Sequence, residues 1–191
     1  MNKNLLTLLL LPLLLPLLLT ALAGCASGPP PRLYQLRAEP PVAVQAVVSA
    51  QVLQLMAVRL PEVLEQTGLL VPQGQGGVQV LADHRWAEPL RDAVPRLLLQ
   101  DLARLLGPER VWSAPLPLGV VVTVPLRVEI TTLQARADRA AVQLQARVTL
   151  GVRVLMVSLE APSSGPEPDA LVAAHRLALW RLAEQIADAV R

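Results

Sequence analysis

The sequence predicts a layered α/β domain in which long helices cover a sheet. Two segments place apolar residues at 3.6-residue spacing, and two others alternate apolar with polar residues. Glycine- and proline-rich connections separate these segments. With 53% hydrophobic residues in 191, the chain has enough aliphatic side chains for one core. We therefore expect one domain with a sheet that buries one face.

The first part of the domain carries short strand signals. They cover residues 33–36, 51–60, 69–71 and 78–81. A helical turn is expected at 61–66, after the second strand. The segment PQGQGG, residues 72–77, predicts a hairpin between the third and fourth strands. Its glycines also suggest a phosphate-binding loop, but the GxxxxGK[ST] pattern is missing and no helix follows directly, so a turn is favoured.

A helical pattern then runs from Glu88 to Gly107, with apolar residues on one side. Pro89 suits the first turn, and Asp83 is a candidate N-cap. Gly107 is a candidate C′ residue. Pro95 lies inside the pattern and is expected to kink the helix.

The second half of the domain predicts a long antiparallel hairpin and a final helix. Residues 126–131 and 142–153 alternate apolar with polar side chains around a turn at 136–140. A loop at 162–169 follows, and its Asp169 is a candidate N-cap for a helix ending near Val190. The polar residues of this helix are expected to be exposed, namely Arg176, Arg181, Glu184 and Asp188.

The amino terminus carries an export signal. Lys3 precedes an apolar run from Leu5 to Gly24 that is long enough to span a membrane. Pro12 and Pro16 interrupt this run, and it ends in small residues. This pattern predicts a cleaved signal peptide at residues 1–24.

Leu22-Ala23-Gly24-Cys25 contains the single cysteine of the chain and resembles the lipobox of bacterial lipoproteins. The resemblance implies a diacylglyceryl group on Cys25, cleavage before it, and an acylated (for example palmitoylated) new amino terminus. The alternative is an ordinary secretory signal with a chance cysteine. An aspartate directly after the lipobox cysteine would resemble an inner-membrane retention signal. This chain has Ala26 at that position, so an outer-membrane location is favoured. Residues 25–32 then form a proline-rich tether, and the domain covers 33–191.

The titratable residues give no pattern of an enzyme or a metal centre. His84 and His175 are the only histidines and are far apart in the chain. Ser163 lacks a GxSxG setting. Glu184 and Asp188 lie four residues apart, as on a solvated helix face. The sequence therefore predicts no catalytic residues, no metal ligands and no cofactor, and a formal net charge of +2 gives no case for nucleic acid.

Three segments of the domain together resemble the ABC-type transport auxiliary lipoprotein family, which includes PqiC-like and YmbA-like proteins. The segments are VRLPEVLEQTGLLVPQ (58–73), DHRWAEPLRDAVPRLLLQDLARLLG (83–107) and LRVEITTLQARADRAAVQLQARVTL (126–150). The final stretch LVAAHRLALWRLAEQIADAV (171–190) is similar to that family's last helix. Val63-Leu64-Glu65 departs from the tyrosine and aspartate usual there.

The resemblance implies a three-layer α/β/α sandwich with a mixed sheet of about five strands. It also implies an outer-membrane lipoprotein that faces the periplasm. Its partners would be an MCE-domain (mammalian-cell-entry) substrate-binding protein, an ABC permease and an ATPase, which together move lipids between membranes. A homo-oligomer is a further expectation.

RWAEPL, residues 85–90, is the most specific element of the resemblance and has two interpretations. In the favoured one, Trp86 packs where a strand joins a helix, Glu88 complements the helix dipole, and Arg85 pairs with an acid. In the other, Arg85 and Trp86 bind a partner, because tryptophan and arginine are common interface anchors.

Two functions remain open at this point. The first is a non-catalytic docking subunit at the outer-membrane end of a lipid-transport system. The second is a carrier that holds an acyl chain in its own cavity. A peptidoglycan-binding lipoprotein is less favoured, since the expected polar and aromatic sugar-stacking residues are scarce.

Overall fold

The described part of the chain consists of strands in two sheets and two long helices. It is a computed structural model and describes residues 30–42, 49–74 and 76–191. The strands are β1 (Arg32–Tyr34), β2 (Leu53–Arg59), β3 (Gly68–Gln73), β4 (Gly77–Trp86), β5 (Val111–Ser113), β6 (Val124–Ala135), β7 (Ala141–Leu150) and β8 (Arg153–Pro162). The helices are α1 (Leu90–Leu106) and α2 (Pro168–Val190). Short 3₁₀ helices lie at Glu62–Glu65 and Pro108–Arg110. The predicted signal peptide 1–24, the lipidation site Cys25 and tether residues 26–29 lie outside the described residues.

The larger sheet has the order β5-β2-β6-β7-β8, and the smaller has the order β1-β4-β3. In the larger sheet β2 is parallel to both β5 and β6, whereas β6, β7 and β8 are antiparallel. The smaller sheet is also mixed, because β1 is parallel and β3 antiparallel to β4. The predicted α/β class and the mixed five-stranded sheet with a long hairpin are confirmed.

Both helices pack on the same face of the larger sheet. That face carries the buried side chains of β6 and β7, such as Val128 and Val148, which lie opposite each other in register. Helix α2 contacts β6, β7 and β8, and α1 contacts β2 and β5. The two helices thus form a single layer, and the implied second helical layer is not present in the described residues. The reason lies in the polar-apolar alternation of β7, and of β6 as far as Ile130, which gives the sheet one buried and one solvated face.

The predicted hairpin at residues 72–77 and the helical turn at 61–66 are confirmed. Gln73 and Gly77 are the last paired residues of β3 and β4. The prediction of one strand over 142–153 is wrong at its end. Gly151 adopts a φ of +58°, and Leu150 pairs with Arg153, so the chain reverses there. Strand β8 follows and extends the hairpin to a three-stranded meander.

The predicted N-caps are also corrected. Asp83 lies inside β4 with a φ of +61°, because that strand continues as far as Trp86 to pair with β1. Pro89 occupies the N-cap position of α1, without a side-chain cap. Glu167, and not Asp169, occupies the N-cap position of α2, since Pro168 already starts that helix. Helix α1 is continuous through Pro95, which lacks the N–H for one intrahelical hydrogen bond.

Candidate functional site at the strand-to-helix junction

The carboxyl end of β4 is held by backbone hydrogen bonds from both sides. The Trp86 N–H donates to the Thr67 carbonyl at 2.7 Å, and the Ala87 N–H donates to the Tyr34 carbonyl at 2.7 Å. These bonds fix the backbone just before α1 begins. RWAEPL therefore joins the smaller sheet to the first helix through a hydrogen-bonded backbone.

Trp86 points into this junction and is only 7% exposed. Its ring and the His175 imidazole pack in a T-shaped arrangement, with centroids 5.5 Å apart and planes at 72°. Leu64 and Leu90 line the same small pocket. Trp86 thus offers a partner little surface, and its contacts are internal.

Arg85, the neighbouring residue, points outward. It lies beside Leu33 in the parallel register of β1 and β4, and its side chain is exposed. Within the described residues the Arg85 guanidinium has no ion pair and no hydrogen bond, so the expected acidic partner is not found there. Glu88 instead pairs with Arg96, with Oε1 and Nη2 2.5 Å apart. Of the two predicted site residues, Arg85 is the accessible one.

His84 and His175 both lie at this junction and have separate partners. The Tyr34 hydroxyl and His84 Nδ1 form a 3.0 Å hydrogen bond, and the two rings stack with centroids 5.6 Å apart. His175 Nδ1–H donates to the Leu171 carbonyl at 2.7 Å, because a carbonyl can only accept. Burial lowers the pKa of His175 to about 4, although its hydrogen bond to Leu171 acts in the opposite direction. His175 is therefore neutral at physiological pH.

A buried ion pair at Arg176, the residue that follows His175, was not predicted. Arg176 was expected to be exposed, but it is 6% exposed and binds Asp101, which is fully buried in α1. Arg176 Nη1 donates to Asp101 Oδ2 at 2.8 Å, and Nη2 donates to Oδ1 at 2.7 Å. Arg176 Nε also donates to the carbonyl of Arg37 at 2.7 Å. Burial raises the pKa of Asp101, while its hydrogen bonds and charge contact with Arg176 oppose that rise.

An open groove of about 630 Å³ lies between the segment after β1 and the first turns of α2. Its lining mixes apolar residues, such as Leu33 and Val172, with the charged residues Arg37, Glu39 and Asp169. Such a mixed lining suits polar contacts better than an acyl chain, which needs an apolar enclosure.

The described residues form neither a metal-binding cluster nor a helix that could span a membrane. No three His, Asp or Glu side chains among residues 30–42, 49–74 and 76–191 are close enough together to hold a metal ion. Neither α1 nor α2 is long and apolar enough to cross a membrane.

A family model described as "ABC-type transport auxiliary lipoprotein component" matches residues 34–187. The chain belongs to this family. The match begins at Tyr34 in β1 and ends in the last turn of α2, so it includes both sheets, both helices and the RWAEPL junction. The auxiliary lipoprotein is thus a component associated with an ABC-type transport system.

Two solved structures have the fold of this auxiliary lipoprotein. One is described only as an uncharacterized protein, with a TM-score of 0.65 and 19% identity over 85% of this chain and 100% of that one. The other is protein XCC0632 from Xanthomonas campestris, described as DUF330, with a TM-score of 0.60 and 16% identity over 82% of this chain and 92% of that one. At such identities the likeness is one of fold. The comparison with curated proteins gave no match.

Proposed function

We propose that this auxiliary lipoprotein is a non-catalytic subunit that docks the periplasmic part of an MCE-type (Pqi-like) ABC lipid-transport system to the outer membrane. The family match over residues 34–187 carries the proposal, because it names an ABC-type transport auxiliary lipoprotein. The partners in this proposal are the MCE-domain substrate-binding protein, the permease and the ATPase.

The membrane anchor in this proposal is Cys25. The signal peptide at 1–24 is removed, and the Cys25 thiol and the new amino terminus carry acyl chains. More than one acyl chain gives stable attachment, whereas a single chain binds only marginally. Residues 25–32 then act as a tether to the domain at 33–191.

The packing of the described core favours docking over lipid carriage. The inward faces of α1, α2 and the larger sheet are filled by aliphatic side chains together with Trp180, which is fully buried. The groove of about 630 Å³ lies at the surface and carries charged residues along its wall. A carrier would instead need an enclosed apolar cavity for its acyl chain.

At the RWAEPL junction we propose a division of roles between neighbours. Arg85 is the contact residue, because its guanidinium is exposed and has no ion pair within the described residues. Trp86 is the positioning residue, because its ring packs on His175 and fixes the end of β4. Arg85→Ala should then reduce partner binding with little change in melting temperature.

The anchor is tested with the full chain expressed in a bacterial host that processes lipoproteins. Wild-type protein should incorporate labelled palmitate and fractionate with outer membranes, whereas Cys25→Ser should lose both properties. Ser27→Ala serves as the matched control and should retain them. A wild-type protein that stays in the soluble periplasmic fraction without label would refute the anchor.

Docking is tested by affinity purification of the wild-type lipoprotein from its own cells. The permease, the ATPase and the MCE-domain protein should co-purify as one set. Native mass spectrometry of the same sample tests the alternative function. Stoichiometric phospholipid bound to the lipoprotein alone, with no transport subunits, would favour the carrier.

A further inference from the structure

The outer face of the larger sheet carries a cluster of arginines that no contact described above uses. We call this cluster the arginine face. It consists of Arg59 on β2, Arg127 on β6 and Arg147 on β7, with Glu129 between them. Arg59 and Arg147 both lie directly opposite Glu129 in register, on its two sides. All four side chains are on the exposed side of the sheet, away from the helices.

The arginine face has an excess of positive charge. Glu129 is its single acid, and its Oε2 lies 3.5 Å from Arg147 Nη1, with both side chains about half exposed. Arg59 and Arg127 have no ion pair or hydrogen bond with any other described residue. Three guanidiniums against one carboxylate leave the face two charges in excess.

This excess is local to one end of the sheet. Near the opposite end Arg136 is neutralised by two acids, with Nη1 2.8 Å from Glu160 Oε1 and Nη2 2.7 Å from Asp138 Oδ2. The whole chain has a formal net charge of only +2. The arginine face is therefore a concentrated feature and does not reflect a generally basic surface.

The arginine face contains a shallow depression next to a small side chain. A depression of about 210 Å³ lies between the arginines, and the small side chain of Ala57 forms part of its wall. Met56 is the extra residue of a bulge between β2 and β6. The bulge keeps Ala57 beside Arg127 and Arg59 beside Glu129 on the outer face.

The supporting strands determine which donors a ligand meets. The backbone groups of β6 are used in ladders with β2 and β7, so the guanidiniums are the main donors of the depression. A guanidinium presents planar, paired N–H groups that match a carboxylate. A phosphate-binding site usually combines charged side chains with backbone N–H groups of a helix or a loop. The lining of this depression comes from strands and offers no such N–H groups.

Two exposed methionines are neighbours of the arginine face in the strand register. Met56 is 45% exposed, and Met156 is 72% exposed next to Arg147 in register. An open, rigid surface with charge at its centre and flexible methionines at its edges suits a protein segment better than a small anion.

We propose that the arginine face binds an acidic segment of a partner protein, with carboxylates pairing to Arg59 and Arg127. The existence of a partner rests on the proposed docking function; the chemistry of its contact segment is the new element. Glu129 keeps Arg147 engaged, so the incoming carboxylates meet the two guanidiniums that are not already paired.

The first experiment uses the full-length lipoprotein in nonionic detergent and a fluorescein-labelled oligoglutamate peptide. Fluorescence anisotropy should show binding that weakens as salt is added. Arg59→Glu and Arg127→Glu should each weaken binding about ten-fold, as expected for one paired carboxylate. Arg91→Glu is the matched control, because Arg91 is exposed on the helical side of the molecule, and it should bind as wild type does.

Three outcomes would overturn the proposal. One is equal weakening by Arg91→Glu, which would mean attraction by net charge alone. Another is unchanged binding by both Arg59→Glu and Arg127→Glu. The third is loss of binding to phosphatidylglycerol vesicles, and not to the peptide, in those variants, which would assign the face to a lipid headgroup. Circular dichroism of each variant confirms that these exposed substitutions leave the fold intact.

A second experiment separates this proposal from the docking function. Wild-type protein and the Arg59→Glu/Arg127→Glu variant are each purified from the native cells, and the transport subunits retained are compared. Retention by wild type and loss by the variant supports the arginine face. Equal retention by both overturns the arginine face and leaves docking intact. Absence of the subunits from the wild-type sample refutes docking. In that case the peptide-binding experiment still decides whether the arginine face binds carboxylates.

Discussion

Arg176 of α2 and Asp101 of α1 form a two-hydrogen-bond ion pair in the interior, with Nη1–Oδ2 and Nη2–Oδ1 distances of 2.8 and 2.7 Å. The same guanidinium donates to the carbonyl of Arg37. The pair therefore joins both helices to the chain segment that follows β1. Its geometry also places the Arg176 guanidinium 5.8 Å from the centroid of the Trp180 ring.

Breaking this ion pair should destabilise the domain. Asp101→Ala leaves the Arg176 charge buried without its partner, at a cost of about 3–5 kcal/mol in the free energy of unfolding. Replacing both residues, as Asp101→Leu with Arg176→Met, should cost much less, because no charge is then buried. Urea denaturation of the single and double variants measures the difference. A double variant as unstable as Asp101→Ala would contradict this account.

Removal of the Trp86 ring should also lower stability. Trp86 is 7% exposed and packs against His175, so Trp86→Ala should cost about 3–5 kcal/mol in the free energy of unfolding. Trp86→Phe keeps most of the apolar volume and should cost less. Thermal melting of both variants, with Arg85→Ala as the exposed neighbour, tests this. A melting temperature of Trp86→Ala equal to that of wild type would show that the ring is not structural.

The buried His175 should make stability depend on pH. Its folded pKa of about 4 is below the 6.5 of an unfolded histidine, so the unfolded chain binds the extra proton between these values. The contribution of His175 to the free energy of unfolding should thus be fully present above pH 6.5. The free energy of unfolding should fall by about 3 kcal/mol as the pH drops to 4. Urea midpoints across this range measure the effect.

His175→Gln should flatten this dependence on pH, since the group that titrates has been removed. His84→Gln is the matched control, because His84 belongs to the separate pair with Tyr34, and it should keep the dependence. The interpretation fails if the slope survives in His175→Gln.

Replacing two glycines by alanine should affect the stability of the domain differently. A Cβ at Gly77 would lie 2.7 Å from the Gln73 carbonyl oxygen across the hairpin, and a backbone atom cannot move aside easily. Gly77→Ala should therefore lower the melting temperature. Gly165→Ala meets nothing within 4 Å, so it should be neutral or slightly stabilising through the unfolded state. Destabilisation of equal size in both variants would count against the steric explanation.

The elements with strong periodicity could be predicted from the sequence. The stripe of Leu97, Leu98, Leu102 and Leu105 marks α1, and the alternation around Val128 and Val148 marks the hairpin. Strand β8 was missed because the apolar-polar alternation of β7 continues past Gly151 in the sequence. In the structure Gly151 has a φ of +58°, and the chain reverses there. A glycine inside a strand pattern is the signal that could have indicated the turn.

The buried ion pair and the arginine face were beyond the reach of local patterns. Asp101 and Arg176 are 75 positions apart, and each resembles an ordinary polar residue of an amphipathic helix. Arg59 joins Arg127 only because β2 and β6 are parallel neighbours with a bulge at Met56. The accessible residue at RWAEPL, Arg85, was identified from sequence, but only the structure shows that it is exposed while the adjacent Trp86 is buried.

The route by which the chain enters the domain has a mechanical consequence. In the docking arrangement proposed above, a pull on the tether would first reach β1, which is only three residues long. Behind it, the Arg37 and Ala38 carbonyls accept hydrogen bonds from Arg176 of α2, and the Ala38 carbonyl also accepts one from Arg104 of α1. Such a pull would therefore pass from the short strand into both helices through two guanidiniums, those of Arg104 and Arg176.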